Sequence, residues 1–330
     1  MLGLFGVMMA GLAADAVFSV RHDEADDPEV PAPGEAEPSL DDGDLLDDLS
    51  DDPTIPGSDD LDDPADPSVT LSGTDDADLL SGKDAADDIQ GGAGADLIDG
   101  RDGDDLIDAG HGDDAVWAGG GDDSIRADGG DDTVYGDAGE DSIIGGDGND
   151  SLTGCEGNDN LHGDAGNDTL LGGAGDDWLD GGDDEDWLVG ADGNDLLTGG
   201  RGSDVLDGLD GDDTISGAEE GEQEADFLNG GNGDDQLLPG AGDFVSGGAG
   251  HDAFVLKDWL SETSVTQVVD YDPGEDQLVI VYDSAVHPDP VLTIKENEGG
   301  SGQSIYLDGS KVAVVHGAPV SEGDVRMVAA

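Results

Sequence analysis

The chain has 330 residues, and its 84 acidic side chains against 9 Lys and Arg give a formal net charge of −75 at pH 7. A field of this sign argues against nucleic acid or an anionic membrane surface as a partner. With one cysteine there is no intrachain disulfide. Because only 4% of the residues are aromatic, the folded state needs another source of stability.

Residues 1–20 form an apolar N-terminal segment, with an apolar run of helical length over residues 2–20. One interpretation is a secretory signal, in which residues 2–12 are the core and residues 14–16 the cleavage site. Another is a retained anchor or interaction helix whose polar border is Arg21. An ordinary packed helix is the third. Membrane contact is predicted only through residues 2–20, if they are retained.

Residues 21–72 read as a linker. They contain eight prolines and many acidic residues, as in the stretch DDPEVPAPGEAEP. Such a composition cannot bury enough apolar surface to fold alone, and it predicts a disordered acidic segment.

Residues 73–216 repeat one nine-residue unit sixteen times without insertion or deletion, and residues 91–99 (GGAGADLID) give the reference form. Position 6 is Asp and position 8 is Leu, Ile or Val in every unit. Position 4 is Gly except at Asp76, Ala85 and Asp184, whose turns are expected to bind metal more weakly. Because glycine tolerates positive φ, each unit predicts a tight turn followed by three extended residues.

One unit cannot bury its single apolar side chain, so neighbouring units must stack. Two consecutive units would form one coil, with a turn and a short strand on each side. Successive coils would pair as parallel strands about 4.8 Å apart around a core of position 8 residues. The Asp residues at positions 5 and 9 are interpreted mainly as a solvated acidic surface.

Stacking would place the position 6 Asp of one unit beside the carbonyl oxygens and the Asp of the unit two further along. About six oxygens without nitrogen or sulfur suit a hard cation, and a flexible mixture of carboxylates and carbonyls favours Ca²⁺ over Mg²⁺. The predicted calcium ligands in the regular units are Asp78, Asp87, Asp96, Asp105, Asp114, Asp123, Asp132, Asp141, Asp150, Asp159, Asp168, Asp177, Asp186, Asp195, Asp204 and Asp213.

The register changes after residue 216. Residues 217–229 carry four extra residues, and residues 239–246 are one residue short. The restored register adds the predicted ligands Asp226, Asp235 and Asp252. Position 6 also falls on Asp243, but this residue directly follows the deletion and is left out of the ligand set.

Units such as residues 145–153 (GGDGNDSLT) and 172–180 (GGAGDDWLD) resemble the calcium-binding nonapeptide of RTX, or haemolysin-type, proteins. The resemblance covers residues 73–255. It implies an all-β fold, a right-handed parallel β-roll that holds multiple Ca²⁺ ions. It also implies export by a type I secretion apparatus and a place outside the cell or at its surface. Folding and metal binding would then be one event.

Residues 256–330 lose the nine-residue period and alternate apolar with polar residues. The predicted strands are 265–271, 277–282, 291–295, 304–308 and 311–316, with turns at Pro273-Gly274 and Asp308-Gly309. The region resembles the C-terminal cap and secretion region of RTX proteins. A cap is also needed physically, because the last coil would otherwise expose its core and strand edges.

The sequence argues against catalysis. It contains neither H-E-x-x-H nor G-x-S-x-G, and the array, linker and cap leave no segment large enough for a catalytic domain. The main hypothesis is therefore a noncatalytic secreted or cell-surface protein that folds on binding calcium. A noncatalytic fragment or accessory of an RTX enzyme is a further alternative.

A second hypothesis is a calcium-dependent adhesin or a self-assembling surface-layer or filament protein. If position 8 points inward, positions 7 and 9 point outward, and every second unit lies on the same side. One such ladder contains Trp117, Tyr135, Thr153, Leu171 and Val189. These side chains would contact a cell-surface glycan or another copy of the chain, or would simply pack along adjacent coils.

Overall fold

The computed structural model describes residues 67–217, 224–257, 265–297, 299–300 and 302–330. The predictions for residues 1–20, for the linker up to residue 66 and for the extra residues at 220–223 lie outside this part. The described residues form 27 strands and one short 3-10 helix, Glu322–Asp324.

The strands of the first half are short and evenly spaced. In chain order, β1 to β12 are Thr70–Ser72, Leu79–Ser81, Asp88–Ala93, Leu97–Asp102, Leu106–His111, Ala115–Gly120, Ser124–Gly129, Thr133–Ala138, Ser142–Asp147, Ser151–Glu156, Asn160–Ala165 and Thr169–Ala174. β13 to β21 are Trp178–Asp183, Trp187–Asp192, Leu196–Arg201, Val205–Asp210, Thr214–Ser216, Phe227–Asn232, Gln236–Leu238, Phe244–Ala249 and Ala253–Lys257. β22 to β27 are Thr266–Tyr271, Gln277–Tyr282, Leu292–Glu296, Gln303–Leu307, Ser310–Gly317 and Val325–Ala329.

Two sheets face each other across the core. Strands β1, β3 and the following odd-numbered strands to β23, then β27, form the odd sheet, and the even-numbered strands with β25 form the even sheet. In the even sheet Leu152 pairs in parallel with Val134 and Leu170, each of which lies two units away along the chain. This register confirms the predicted coil and the parallel β-roll.

The strands are longer than the sequence predicted. A typical strand holds six residues, which are positions 7 to 9 of one unit and positions 1 to 3 of the next. Pairing passes over Gly154 at position 1 and resumes at Cys155, which has φ 87°. Position 2 therefore takes a left-handed conformation without ending the strand, and only positions 4 to 6 form the turn.

Position 8 fills the core, as predicted. These side chains are at most 2% exposed in every unit from Ile89 to Val245. Complete burial of one such side chain contributes about 1.5–3 kcal/mol. Position 1 also points inward, and Ala109, Ala118 and Ala127 are buried there.

The insertion and the deletion leave the strand register intact. Leu206 pairs with Leu228 on the far side of the insertion, and Leu228 pairs with Val245 on the far side of the deletion. Both irregularities lie between strands, where a change in length does not move a side chain to the other face.

The solenoid begins before the boundary drawn from the sequence. Strand β1 lies within residues 21–72, which were assigned to the linker, and it pairs with β3. Leu71 occupies position 8 of an incomplete unit. Its side chain is half-buried and packs against the core. The sequence analysis did not recognise that unit as a repeat, because Val69 replaces Asp at its position 6.

The C-terminal region continues both sheets before closing them. β23 and β27 extend the odd sheet in parallel, and β22 pairs in parallel with β26. β24, β25 and β26 are antiparallel. The predicted hairpin at Asp308-Gly309 is confirmed, with φ 49° and 93° at its two residues. Strand β27 was not predicted.

Within the described ranges, no helix has the length and apolar character needed to cross a membrane.

Candidate metal centre

The turns stack in two rows, one along each edge of the solenoid, and each row buries a column of carboxylates. The predicted ligands from Asp87 to Asp252 are at most 4% exposed, whereas Asp78 in the first turn is half-buried. Burying so many carboxylates is costly unless each is compensated.

One oxygen of each carboxylate is compensated by the neighbouring coil. The backbone N–H of Asp96 donates to Oδ1 of Asp114 at 2.7 Å, and that of Asp114 donates to Oδ1 of Asp132 at 2.7 Å. The same bond recurs along both edges. All nineteen predicted ligands therefore lie in two continuous carboxylate ladders.

The second oxygen is left without a partner in most turns. A buried Oδ2 atom with no hydrogen bond occurs at Asp96, Asp105, Asp114, Asp123, Asp132, Asp141, Asp150, Asp159, Asp168, Asp177, Asp186, Asp195, Asp213 and Asp235. Orphaned buried acceptors are rare in native proteins, and a regular column of them indicates a row of cation sites. These donors fit calcium, because they are oxygen atoms without nitrogen or sulfur.

The rest of the coordination is predicted to come from the backbone. In the part of the chain that the structure describes, no three His, Cys, Asp or Glu side chains converge as a metal cluster. Each turn contributes a carboxylate, and the sequence analysis predicts that turn carbonyls supply the remaining oxygens. Calcium accepts such a mixture readily.

The raised pKa values of the ladder carboxylates also indicate a cation site. Burial, followed by repulsion from like charges in neighbouring coils, raises the pKa of Asp132 to about 7 and that of Asp186 to about 8. The same causes raise the pKa of Asp168 to about 7. A bound cation would reverse this effect by favouring the ionised form.

Asp243, which the sequence analysis left out, lies in the ladder. It is fully buried, and its Oδ1 accepts the backbone N–H of Asp226 at 3.1 Å. The deletion shortens the turn before it without displacing the carboxylate. The apolar Val245 two residues later was the signal that would have identified it.

The cap carries two further carboxylates that sequence reasoning missed. Asp276 extends one ladder, because its Oδ1 accepts the N–H of Asp252 at 3.3 Å. Asp270 accepts the backbone N–H groups of Gly247 at 3.1 Å and Gly248 at 2.9 Å. Neither lies in the nine-residue pattern.

Position 5 side chains form a second set of contacts between coils. Asn149 accepts the N–H of Asn167 on its Oδ1 at 2.9 Å and donates its own N–H to Oδ1 of Asp131 at 2.9 Å. Asp122 accepts the N–H of Glu140 in the same way. These residues are exposed, as the sequence analysis predicted, and they also join neighbouring coils.

Comparison with known families agrees with this geometry. The model of the RTX calcium-binding nonapeptide repeat, which spans four copies of the unit, matches residues 72–107, 81–116, 90–125, 117–152, 126–161, 153–188, 189–219 and 220–243. Together these matches cover more than half of the chain. No curated protein matches it.

Proposed function

The chain belongs to the RTX calcium-binding nonapeptide repeat family, and from this premise we propose that it is a noncatalytic extracellular or cell-surface protein that folds on binding calcium after type I export. The observation that carries the proposal is the column of buried, unpartnered Oδ2 atoms along both edges of the roll. Repeats of this family bind calcium, and an array of them binds several ions.

Folding and binding are coupled through charge. The unfolded chain holds its carboxylates apart in water, whereas the coil brings them together at every turn. Their mutual repulsion opposes folding in a chain whose net charge is −75. Each bound Ca²⁺ would offset two charges in the folded state only. Preferential binding to the folded state stabilises it by mass action.

This coupling suits export. Scarce calcium in the cytosol would leave the chain unfolded and able to thread through a secretion apparatus, and abundant calcium outside would fold it. Residues 256–330 are proposed as both the cap of the roll and the region that the type I apparatus recognises. The noncatalytic assignment rests on the sequence, which lacks the two hydrolase motifs considered above.

Circular dichroism during a calcium titration of the purified full chain tests the proposal. We expect little β structure in chelator and a cooperative gain of β signal as calcium rises, because each carboxylate is held by the neighbouring coil. A β-rich spectrum that chelator leaves unchanged would overturn it. Magnesium at equal concentration serves as the control and should be much less effective.

A second candidate function, self-association, is favoured by the outer face of the even sheet. Trp187, Val205, Phe227 and Phe244 occupy position 7 on four neighbouring strands, and their exposed fractions are 58%, 41%, 52% and 43%. An apolar patch on a chain of this charge marks an interaction surface.

The patch fits a second copy of the chain better than a glycan. The rings of Phe227 and Phe244 stack at 5.1 Å with an interplanar angle of 9°, and those of Trp117 and Tyr135 stack at 5.9 Å. Rings stacked along the coil axis cover each other's faces and present their edges, so they are poorly placed to stack on a sugar. Two such apolar sheet faces can pack together.

Sedimentation velocity in calcium tests this second function. The full chain should self-associate, and Phe227→Ser with Phe244→Ser should abolish association. Trp178→Ser is the matched control, because that exposed side chain lies on the odd sheet. A monomer at all concentrations, or equal association of both variants, would contradict the role of the even sheet.

A further inference from the structure

The position 6 carboxylates include two kinds, which differ in what their Oδ2 atom contacts. In the turns described above, Oδ2 is buried without a hydrogen bond. In the first turn, Oδ2 of Asp78 instead accepts the backbone N–H of Thr74 at 2.6 Å and its hydroxyl at 2.9 Å. In the second turn, Oδ2 of Asp87 accepts the N–H of Lys83 at 2.6 Å.

The same hydrogen bond to Oδ2 recurs at the C-terminal end of the ladders. Oδ2 of Asp243 accepts the N–H of Gly240, and Oδ2 of Asp276 accepts the N–H of Asp272 at 2.7 Å. In each case the donor lies three or four residues earlier in the same turn. We call these four the closed turns, and those with an unpartnered Oδ2 the open turns.

The closed turns occupy the ends of the two ladders. Asp78 begins the ladder that ends at Asp243, and Asp87 lies near the start of the ladder that ends at Asp276. The open turns lie between them. Each of the two ladders therefore has a closed turn at both of its ends.

From this arrangement we propose that the carboxylates of Asp78, Asp87, Asp243 and Asp276 are not calcium ligands, and that backbone N–H groups replace the cation in the closed turns. An N–H directed at Oδ2 satisfies the lone pair that a metal would use. It also places a partial positive charge where the cation would lie, which opposes binding. This assignment rests on the proposed calcium function and refines it.

The sequence explains closure in the first two turns. Thr74 and Asp76 replace glycine at positions 2 and 4 of the first unit, and Lys83 and Ala85 do so in the second. None of these four residues has positive φ. Without a left-handed residue, β1 and β2 end at position 9, and the position 2 N–H turns toward the carboxylate.

In the regular nine-residue units, one glycine at position 2 or position 4 is enough to keep a turn open. The turn before Asp105 has Arg101 with φ 82° at position 2 and Gly103 with φ 131° at position 4, and it is open. The turn before Asp186 has Gly182 with φ 118° and Asp184 with φ 83°, and it is also open. At Asp276 the proline Pro273 fixes a negative φ within the turn.

Metal-independent end turns would let the ends of the roll form before calcium binds. They would also seal the array where an outermost coil lacks a neighbour to complete a site. Calcium would then be confined to the interior turns.

Counting bound calcium in the full chain tests this assignment. At saturating calcium, with excess magnesium to suppress weak surface binding, equilibrium dialysis and elemental analysis give the number of ions per chain. The variant Asp78→Asn should keep the wild-type number of ions and the wild-type calcium midpoint, because its amide oxygen still accepts the N–H and the hydroxyl of Thr74. The matched variant Asp114→Asn, in an open turn, should lose about one ion and fold at higher calcium.

The outcomes separate the two proposals. Loss of calcium from the end variant as well as the interior variant would overturn the closed-turn assignment and leave the calcium function standing. No loss from either variant would overturn both. Circular dichroism at saturating calcium shows whether each variant is folded when its ions are counted.

Discussion

Each carboxylate at position 6 has two oxygens with different partners. Oδ1 is fixed by a backbone N–H of the neighbouring coil, and this bond aims Oδ2 into the turn. The nine-residue period was enough to predict which Asp is buried, because only position 6 is invariant. It could not separate open turns from closed ones, since that depends on where one N–H points.

Asp150→Asn should raise the calcium concentration needed for folding while leaving the stability at saturating calcium less affected. The amide keeps the acceptor for the N–H of Asp132 but removes the charge that attracts the cation. The calcium midpoint followed by circular dichroism measures the effect. Asp147→Asn, which removes the same charge from an exposed position in β9, should leave the midpoint nearly unchanged.

Asn149→Ala should act differently. Its side chain bonds to both neighbouring coils, through Asp131 on one side and Asn167 on the other. Losing these bonds should cost about 1 kcal/mol in the free energy of unfolding, with no change in the number of bound ions. An ion count reduced by one would contradict this role.

The raised pKa values predict how calcium binding depends on pH. Asp177 has a pKa near 7 and Asp186 near 8 in the metal-free coil, both above the ordinary 3.8 because of burial. A raised folded pKa stabilises the coil below the unfolded pKa, and that stability is lost as pH rises through the folded pKa. Metal-free chains should therefore gain β structure as pH falls from about 8 towards 4.

Calcium must displace the protons that these carboxylates hold. The calcium midpoint should accordingly rise as pH is lowered from about 8 to 6, with proton release on binding in weakly buffered solution. A midpoint constant across this range would show that the ladder carboxylates are already ionised in the folded, metal-free chain.

At the scale of strands, much of the fold follows from periodicity. The alternation of residues 277–282 predicted β23, and the Asp308-Gly309 pair predicted the hairpin between β25 and β26. The extra length of the repeat strands was missed because glycine-rich positions 1 to 3 read as turn. Their pairing depends on the neighbouring coil at the same height, which a single unit does not reveal. β27 was missed for the same reason, since its partner β23 lies far earlier in the chain, before the three antiparallel strands.

A core substitution should weaken the roll independently of its metal sites. Leu152→Ala removes a fully buried position 8 side chain and should cost about 2–5 kcal/mol in denaturant unfolding at saturating calcium. Leu171→Ala is the control, because that side chain is 38% exposed on the outer face. Equal losses from the two variants would contradict a core built only from inward positions.

At the scale of the whole molecule, the array does not define its own register. Its units are nearly identical, so a slip by one whole coil would cost little. The C-terminal region differs in pattern and makes contacts that no other register reproduces. The carboxylate of Asp270 accepts the backbone N–H groups of Gly247 and Gly248, and that of Asp276 accepts the N–H of Asp252. The ring centroids of Phe254 and Tyr271 lie 6.3 Å apart.

The cap is therefore expected to act as the template on which coiling starts. Deleting residues 256–330 should abolish or greatly weaken calcium-induced folding, because β21 loses β23 and β20 loses β22. Deleting residues 1–66 should leave the calcium midpoint nearly intact, because the roll begins at β1. Calcium titrations of the purified truncated chains, followed by circular dichroism, compare the two directly. If the chain lacking residues 256–330 folds at the normal calcium midpoint, coiling must start within the array, and the C-terminal region would serve export alone.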